Sequence, residues 1–285
     1  MSFIRSIVAK TVSSEMGWKI VKPIVKIGSF LKWKREEVEN ERTKRKEDCL
    51  QSEAANTFNS LFSDLTVLHG PFKGMKYPAF DAVGSGLYPK LIGSYERELS
   101  GAFEIICRQD YTEIIDIGCA EGYYAIGCSI RIPSAKVVAY DTSEKARSLC
   151  LEMAKLNKVD DKIEIRSSCT PEELENFGFT KRGFIICDCE GYEFQLFNEK
   201  NIQNLAKCDL IIEVHDFLNP NISSRLRTLF SDSHELTVIK STTDDEKAAS
   251  YQYDEIVNLN GPLKKILFKE GRPGIMEWLL LSSKG

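Results

Sequence analysis

The chain has 285 residues, of which 42% are hydrophobic and 28% are charged, and its formal net charge is −4. This size fits one large globular domain with an appendage, or two small domains. No apolar stretch approaches the roughly 20 residues that a membrane-spanning helix needs, and the first residues lack the pattern of a secretory signal. Nine cysteines without regular spacing argue against a disulfide framework, so we expect reduced thiols in a cytoplasmic protein.

Positive charge is concentrated at the start of the chain. Residues 1–35 contain eight Lys or Arg and one acid, Glu15, so the remaining 250 residues carry a net charge of −11. This acidic body argues against nucleic-acid binding, because contacts to phosphates supply most of that affinity. The spacing of apolar residues predicts a helical arm over residues 1–62. We expect the arm to be a helical cap or a homodimer contact; the alternative is a peripheral membrane contact through residues 1–35.

Short apolar strands alternate with helical segments from residue 113 onward. Strands are predicted at 113–117, 136–140, 162–166, 183–187, 210–214, 235–240 and 276–281, and helices at 95–109, 143–157 and 221–230. This alternation predicts an α/β fold with a mostly parallel seven-stranded sheet and helices on both faces. Two short strands joined by a turn are predicted at 65–78. A long polar, loop-rich insert separates the last two strands of the sheet.

A loop with two glycines follows the first strand of this sheet, in the sequence DIGCAEGYYA (116–125). Gly118 and Gly122 frame a turn that opens the next helix, so backbone N–H groups face whatever binds there. Asp141 ends the next strand, where an acid suits hydrogen bonding to the two hydroxyls of a ribose. Asp116 has the alternative of a turn cap. Asp141 has the alternative of a helix N-cap before Ser143, which could coexist with ribose binding.

The same loop distinguishes two cofactors. NAD-binding folds prefer the spacing G-x-G-x-x-G, because the second glycine lets the backbone approach a pyrophosphate. Here the spacing is G-x-x-x-G, and Ala120 stands where that second glycine should be. The carboxylate of Asp116 would repel a pyrophosphate, whereas it would favour the ammonium group of S-adenosylmethionine. We therefore favour S-adenosylmethionine over NAD.

Acidic residues also end the fourth and fifth predicted strands. They are Asp188 and Glu190 in DCEGYEF (188–194), and Glu213 and Asp216 on either side of His215. A buried charge costs several kcal/mol unless it has a partner, so these acids need one. Because ligands bind outside the carboxyl ends of parallel strands, we expect these side chains to converge on one crevice and to face a cofactor and an acceptor.

These segments resemble the FkbM-type methyltransferase family over residues 64 to 282. The resemblance is carried by DIGCAEG, DCEGYEF, IIEVHDF (211–217) and RPGIMEWLL (272–280), with GPFKGMKYP (70–78) and GSYERELS (93–100) upstream. Its most specific part is the element D-x-E-G-x-E, matched by Asp188, Glu190, Gly191 and Glu193. It implies a class I methyltransferase domain over residues 63–285, S-adenosylmethionine as donor, and a hydroxyl acceptor on a sugar, glycan or natural product. Cys119-Ala120-Glu121 departs from the family pattern, and residues 1–62 are not explained by it.

The chemistry of an O-methyltransferase then assigns roles to the strand-end residues. Methyl transfer needs the acceptor oxygen aligned with the methyl group and its proton removed. His215 is the predicted general base, because an unperturbed histidine titrates near pH 6.5. Asp188 or Glu190 orients the acceptor or is the base instead, and a purely structural His215 is the alternative. The residues predicted to bind the cofactor are Asp116, Gly118, Cys119, Glu121, Gly122, Tyr123, Asp141, Thr142, Ser168, Cys169, Asp188, Tyr95 and Glu96.

Further alternatives stay open at this point. Asp188, His215 and Asp216 could hold one Mg²⁺ that lowers the pKa of acceptor hydroxyls, although a metal-free site is favoured. Tyr95 could be core packing, and Glu96 could be an acid favoured by a helix dipole. The alternative functions are an NAD-linked oxidoreductase and a non-catalytic module that binds a membrane or a partner.

Overall fold

The computed structural model of the protein describes residues 12–285, apart from the side chains of six residues between 20 and 28. The first eleven residues of the predicted arm therefore lie outside the described residues. The chain divides into two units, Met1–Thr57 and Phe58–Gly285. The predicted division after residue 62 falls close to this boundary.

Helix α1 spans Glu15–Leu61, about 70 Å at the usual rise per residue. It continues through Pro23, which the sequence predicts to begin or kink a helix. Arg45 Nη2 lies 3.8 Å from Glu41 Oε2, in the ion pair that the four-residue spacing predicts. Trp18 and Trp33 of α1 are exposed. No helix among residues 12–285 is long and apolar enough to cross a membrane.

The seven predicted strands form one sheet. They are β1 (Glu113–Ile117), β2 (Lys136–Tyr140), β3 (Ile163–Arg166), β4 (Gly183–Cys187), β5 (Cys208–Val214), β6 (His234–Lys240) and β7 (Glu277–Ser283). Their order is β3-β2-β1-β4-β5-β7-β6. Strands β1 to β5 are parallel, and β7 is antiparallel to both of its neighbours. Strands β2 and β3 are added on one side of β1, and β4 and β5 on its other side. The loops that follow β1 and β4 therefore lead away from each other and open a crevice at the carboxyl ends of these two strands.

Helices cover both faces of the sheet, as predicted. They are α2 (Leu87–Ile92), α3 (Ser100–Ile106), α4 (Tyr123–Arg131), α5 (Glu144–Leu156), α6 (Pro171–Asn176), α7 (Glu193–Leu196), α8 (Ile202–Leu205), α9 (Ile222–Phe230), α10 (Asp244–Ser250) and α11 (Gly261–Leu267). Successive strand residues point to opposite faces. In β4, Ile185 belongs to the buried cluster that includes Leu174 of α6 and Leu226 of α9. Its neighbour Phe184 lies 6.2 Å, between ring centroids, from Phe103 of α3.

Three segments differ from the prediction. The helix predicted at 95–109 is interrupted, because Glu96 has a left-handed backbone with φ of 46°, and a 3-10 turn (Arg97–Leu99) precedes α3. The paired strands predicted at 65–78 reduce to a single bridge between Thr66 and Lys76. The insert before β7 contains α10 and α11, whose first turns are capped by the side chains of Thr243 and Asn260.

Candidate active site

A cavity of about 510 Å³ lies at the carboxyl ends of β1, β2 and β4, where the sheet topology predicts a ligand. We call it the donor cavity. Its volume is typical of a small-molecule site. Ten of the thirteen predicted cofactor residues line it: Asp116, Gly118, Cys119, Tyr123, Asp141, Thr142, Ser168, Cys169, Asp188 and Tyr95.

The glycines of the β1–α4 loop allow close packing. Gly118 has φ of +84°, and a Cβ atom there would lie 1.7 Å from the carbonyl oxygen of Asp188. Only glycine therefore lets the loop after β1 meet the loop after β4. Gly122 does not line the donor cavity; a Cβ there would lie 2.4 Å from Ile126 Cδ1. Gly122 therefore allows close helix packing, and its predicted contact with the cofactor stays a prediction.

Asp116 presents an unsatisfied carboxylate oxygen in a buried position. The residue is only 3% exposed and lines the donor cavity. Its Oδ2 atom has no hydrogen-bond partner among the described residues. Burial raises the pKa of this carboxyl to about 7, against the effect of a hydrogen bond from the backbone N–H of Ala125. A buried acceptor without a partner beside a cavity fits a ligand that brings an ammonium group.

Asp141 organises the turn after β2 while it lines the same cavity. Its Oδ2 accepts a hydrogen bond from the N–H of Ala120 at 2.9 Å, and its Oδ1 accepts one from the N–H of Ser143 at 2.8 Å. The N-cap of α5 is Ser143 itself, whose hydroxyl accepts from the N–H of Ala146. Each carboxylate oxygen keeps a second lone pair, so Asp141 can also accept from ribose hydroxyls.

A second, smaller cavity of about 120 Å³ adjoins the first, and we call it the acceptor cavity. Residues that line both cavities are Gly84, Ser85, Tyr95, Asp188 and Glu190. Glu96, predicted to contact the cofactor, lines the acceptor cavity instead. The acceptor cavity is also lined by Glu213, His215, Phe217, Glu270 and Arg272.

A buried glutamate contacts the ring nitrogen of His215 that lies away from the acceptor cavity. The Nδ1 atom of His215 lies 2.8 Å from Oε1 of Glu193, which has no exposed surface. The Nε2 atom of the same ring faces the acceptor cavity, 3.5 Å from Asp188 Oδ1 and 3.6 Å from Glu190 Oε2. Burial lowers the pKa of His215, but the hydrogen bond and charge of Glu193, with the charges of Asp188 and Glu213, raise it to about 9. This arrangement leaves the Nε2 atom directed into the acceptor cavity.

Comparisons with known proteins find a similar family for one region of the chain. Residues 105–218 match a family model described as O-methyltransferase. No curated protein sequence matches the chain significantly. Similar solved structures include the O-methyltransferase from Bacillus cereus in complex with SAH, at 16% identity over 64% of this chain and 78% of that chain, with a TM-score of 0.43. Another is precorrin-6y C5,15-methyltransferase from Geobacter metallireducens GS-15, at 14% identity over 68% and 90%, with a TM-score of 0.45.

The strand order separates the two candidate cofactor folds. A dinucleotide-binding sheet has the order 3-2-1-4-5-6. Here β7 lies antiparallel between β5 and β6, as in class I methyltransferases. The sheet therefore has the class I methyltransferase fold, and residues 105–218 within it match the O-methyltransferase family model. The oxidoreductase alternative is therefore set aside, and S-adenosylmethionine is the cofactor that the donor cavity must fit.

Glu121, predicted to contact the donor, is not among the residues that line the donor cavity. Its carboxylate pairs with Lys90 in a site where both side chains are 2% exposed. It also accepts a hydrogen bond from the N–H of Val83 at 3.1 Å and one from the hydroxyl of Tyr77 at 3.4 Å. Glu121 thus fixes the loop at Val83 and Gly84, which borders the donor cavity.

The metal set predicted for the methyltransferase changes by one residue. Asp216 accepts hydrogen bonds from the backbone N–H of Ser223, at 2.9 Å, and from its hydroxyl, and so holds the first turn of α9. Glu213 takes its place: ligand atoms of Asp188, Glu213 and His215 lie within 4.8 Å of one another. Two carboxylates and an imidazole are a donor set that a divalent cation can use.

Sequence reasoning missed the role of Arg272, although it lies in the segment RPGIMEWLL. Its guanidinium pairs with Glu96 and Glu213, and its Nε lies 3.2 Å from Glu270 Oε2. Lys247, which is fully buried, binds the same carboxylate of Glu270 at 2.6 Å. The partners of Arg272 come from three separate segments. No local sequence signal could identify them, because Glu213 and Glu96 are 59 and 176 residues away.

Proposed function

We propose that this methyltransferase transfers a methyl group from S-adenosylmethionine to a hydroxyl of a sugar, glycan or hydroxylated natural product, as an FkbM-like enzyme. The observation that carries the proposal is the shared wall between the two cavities. Tyr95, Asp188 and Glu190 border both cavities, so a methyl group at the end of the donor cavity is exposed to a molecule in the acceptor cavity. His215 Nε2 faces that same place.

Residues of the chain account for donor binding. S-adenosylmethionine supplies an electrophilic methyl group when it is bound. Asp116 would hold its ammonium group through the unpaired Oδ2 atom, and Asp141 would accept from its ribose hydroxyls. The neighbouring aromatic rings of Tyr95 and Tyr123, 5.2 Å apart between centroids, supply apolar wall that excludes water.

The proton on the acceptor hydroxyl has two candidate destinations. His215 can take it at Nε2, while Glu193 stabilises the resulting imidazolium through Nδ1, as in other histidine–carboxylate pairs. Because the pKa of His215 is about 9, the fraction of the ring that can accept a proton increases as the pH rises toward that value. Asp188 is the second candidate, because burial raises its pKa to about 7.

A methyl-transfer assay with a panel of hydroxylated acceptors tests the proposal. We expect a methyl ether as product, and we expect His215→Ala to lower kcat by about 10²–10⁴-fold with little change in donor affinity. The matched control is His69→Ala, because His69 is partly exposed and contacts Glu255 outside both cavities. Wild-type enzyme that methylates nitrogen or carbon acceptors alone would refute an oxygen acceptor. An unimpaired His215→Ala variant would refute the assignment of the base.

The same assay in EDTA tests a divalent cation at Asp188, Glu213 and His215. Metal-independent turnover is the expected result, because Arg272 already pairs with Glu213. Loss of activity in EDTA that Mg²⁺ restores would instead assign the activation of the acceptor hydroxyl to a metal.

A further inference from the structure

The acceptor cavity has more carboxyl groups than cationic partners for them. Five carboxylates line it: Glu96, Asp188, Glu190, Glu213 and Glu270. A sixth, Glu193, lies behind His215. The cations that pair with these groups are Arg272, Lys247 and the protonated His215. Six carboxyl groups therefore share three cationic partners.

The carboxylates with the fewest cationic partners lie on one side of the cavity. Arg272 already serves Glu96, Glu213 and Glu270, and His215 uses its Nδ1 atom for Glu193. The cationic partner of Asp188 and Glu190 is the Nε2 atom of His215, at 3.5 Å and 3.6 Å, which is longer than a normal hydrogen bond. The buried Oδ1 atom of Asp188 has no hydrogen-bond partner among the described residues.

An aromatic ring at the same cavity gives a second, independent indication of a ligand. Phe217 is 55% exposed although it lines the cavity, and its ring centroid lies 5.8 Å from that of His215. A large exposed aromatic ring beside a polar cavity offers its face to a bound cation or to the apolar face of a sugar ring.

We propose that the acceptor carries a protonated amine beside the hydroxyl that is methylated, so that it is an amino sugar or another amino alcohol and not a phosphorylated or carboxylated sugar. The ammonium group binds between Asp188 and Glu190. An ammonium held by two carboxylates keeps its proton and has no lone pair to attack the methyl group, so the transfer goes to the hydroxyl. This inference rests on the proposed function, because it assigns a substrate class to the same cavity.

Three sugars that share one ring and differ in charge test this directly. D-glucosamine, D-glucose and D-glucuronate are titrated separately by calorimetry, near neutral pH, into the full-length protein saturated with S-adenosylhomocysteine. We expect glucosamine to bind about tenfold more tightly than glucose, and glucuronate to bind more weakly than either. Equal affinities, tighter binding of glucuronate or no binding of glucosamine would overturn the inference.

Substitutions at the carboxylates assign the preference to this cavity. Glu190→Gln is expected to weaken glucosamine binding several-fold more than it weakens glucose binding. The Glu190 side chain is 80% exposed, so the fold does not depend on its charge. Glu175→Gln, at an exposed position of α6, is the matched control. If Glu190→Gln changes nothing, while Asp188→Asn also leaves the preference intact, the ammonium does not bind here and the inference is wrong.

Two further outcomes separate this inference from the proposed function. If S-adenosylhomocysteine binds and glucosamine shows no preference, only the inference about the amine fails. If S-adenosylhomocysteine itself does not bind, the proposed function fails together with the inference. A third outcome is that Mg²⁺ displaces glucosamine and binds more tightly than glucosamine does. That result would assign the carboxylates of the acceptor cavity to a metal and would also overturn the inference.

Discussion

Five titratable groups of the two cavities hold protons to unusually high pH. The pKa is about 7 for Asp116 and Asp188, about 8 for Glu96 and Glu213, and about 9 for His215. Burial is the largest cause for the four carboxyls, whereas in His215 the hydrogen bond and charge of Glu193, together with the charges of Asp188 and Glu213, overcome the opposite effect of burial. A site in which acids and a base titrate near neutral pH is suited to proton transfer.

The pair of Glu193 and His215 predicts a shift of the pH profile. The raised pKa of His215 means that Nε2 becomes free only as the pH approaches about 9, so methyl transfer should increase up to that pH. Glu193→Gln removes the charge that raises this pKa, and the rise in kcat should move to lower pH by at least about one unit. Glu199→Gln, an exposed glutamate nearby in sequence, should leave the profile in place. An unshifted profile in Glu193→Gln would exclude His215 as the titrating base.

At the scale of elements, the site depends on the contact between the loops after β1 and β4. Gly118 →Ala places a methyl group 1.7 Å from the carbonyl oxygen of Asp188, in a left-handed backbone conformation. We expect a loss of roughly 2–4 kcal/mol of unfolding free energy and weaker binding of S-adenosylhomocysteine, measured by urea denaturation and calorimetry. Gly178→Ala is the control, because a Cβ there meets no atom within 4 Å. Equal stability of the two variants would contradict the close contact of these loops.

The same elements show what a sequence can predict. The strands at 113–117, 136–140 and 183–187 are confirmed at their predicted bounds, because each is a short apolar run that ends at a turn signal. The convergence of Asp188, Glu213 and His215 follows from strand ends alone. The partner of Glu121 could not be predicted, because Lys90 reaches it only through tertiary packing. Asp216 instead binds Ser223 in the first turn of the helix that follows it.

The N-terminal arm makes a prediction about assembly at the same scale. If it is a homodimer contact, light scattering should give twice the mass of one chain for the full-length protein and the mass of one chain after deletion of residues 1–48. A mass of one chain for both proteins would rule out the dimer. Binding of the full-length protein to anionic liposomes that weakens with added salt would then favour the membrane contact, to which Trp18 and Trp33 could contribute.

At the scale of the whole molecule, the buried carboxyls predict how stability depends on pH. An unfolded chain releases the protons of these carboxyls near pH 4, whereas the folded protein keeps them up to pH 7 or 8. Between those values the folded state binds more protons, so the free energy of unfolding falls as the pH rises. His215 has the same sign between its ordinary pKa and about 9.

Thermal unfolding of the ligand-free protein measures this dependence. We expect Tm to decrease as the pH rises from about 5 to about 9, and Asp116→Asn to make the decrease smaller, because it removes one group with a raised pKa. Asp64→Asn, an exposed aspartate, should leave the slope unchanged. A Tm that increases over this range would mean that these carboxyls are already ionised in the folded protein.

The most direct measurement is a calorimetric titration of S-adenosylhomocysteine into the wild-type protein and into Asp116→Asn. One molecule should bind per chain, because the donor cavity has the size and lining of a single site. Asp116→Asn should weaken binding by about tenfold or more, because the unpaired Oδ2 atom would no longer meet the ammonium group as a carboxylate. No binding to the wild-type protein, or equal affinity in the two proteins, would contradict a methyl donor in this cavity with its ammonium group at Asp116.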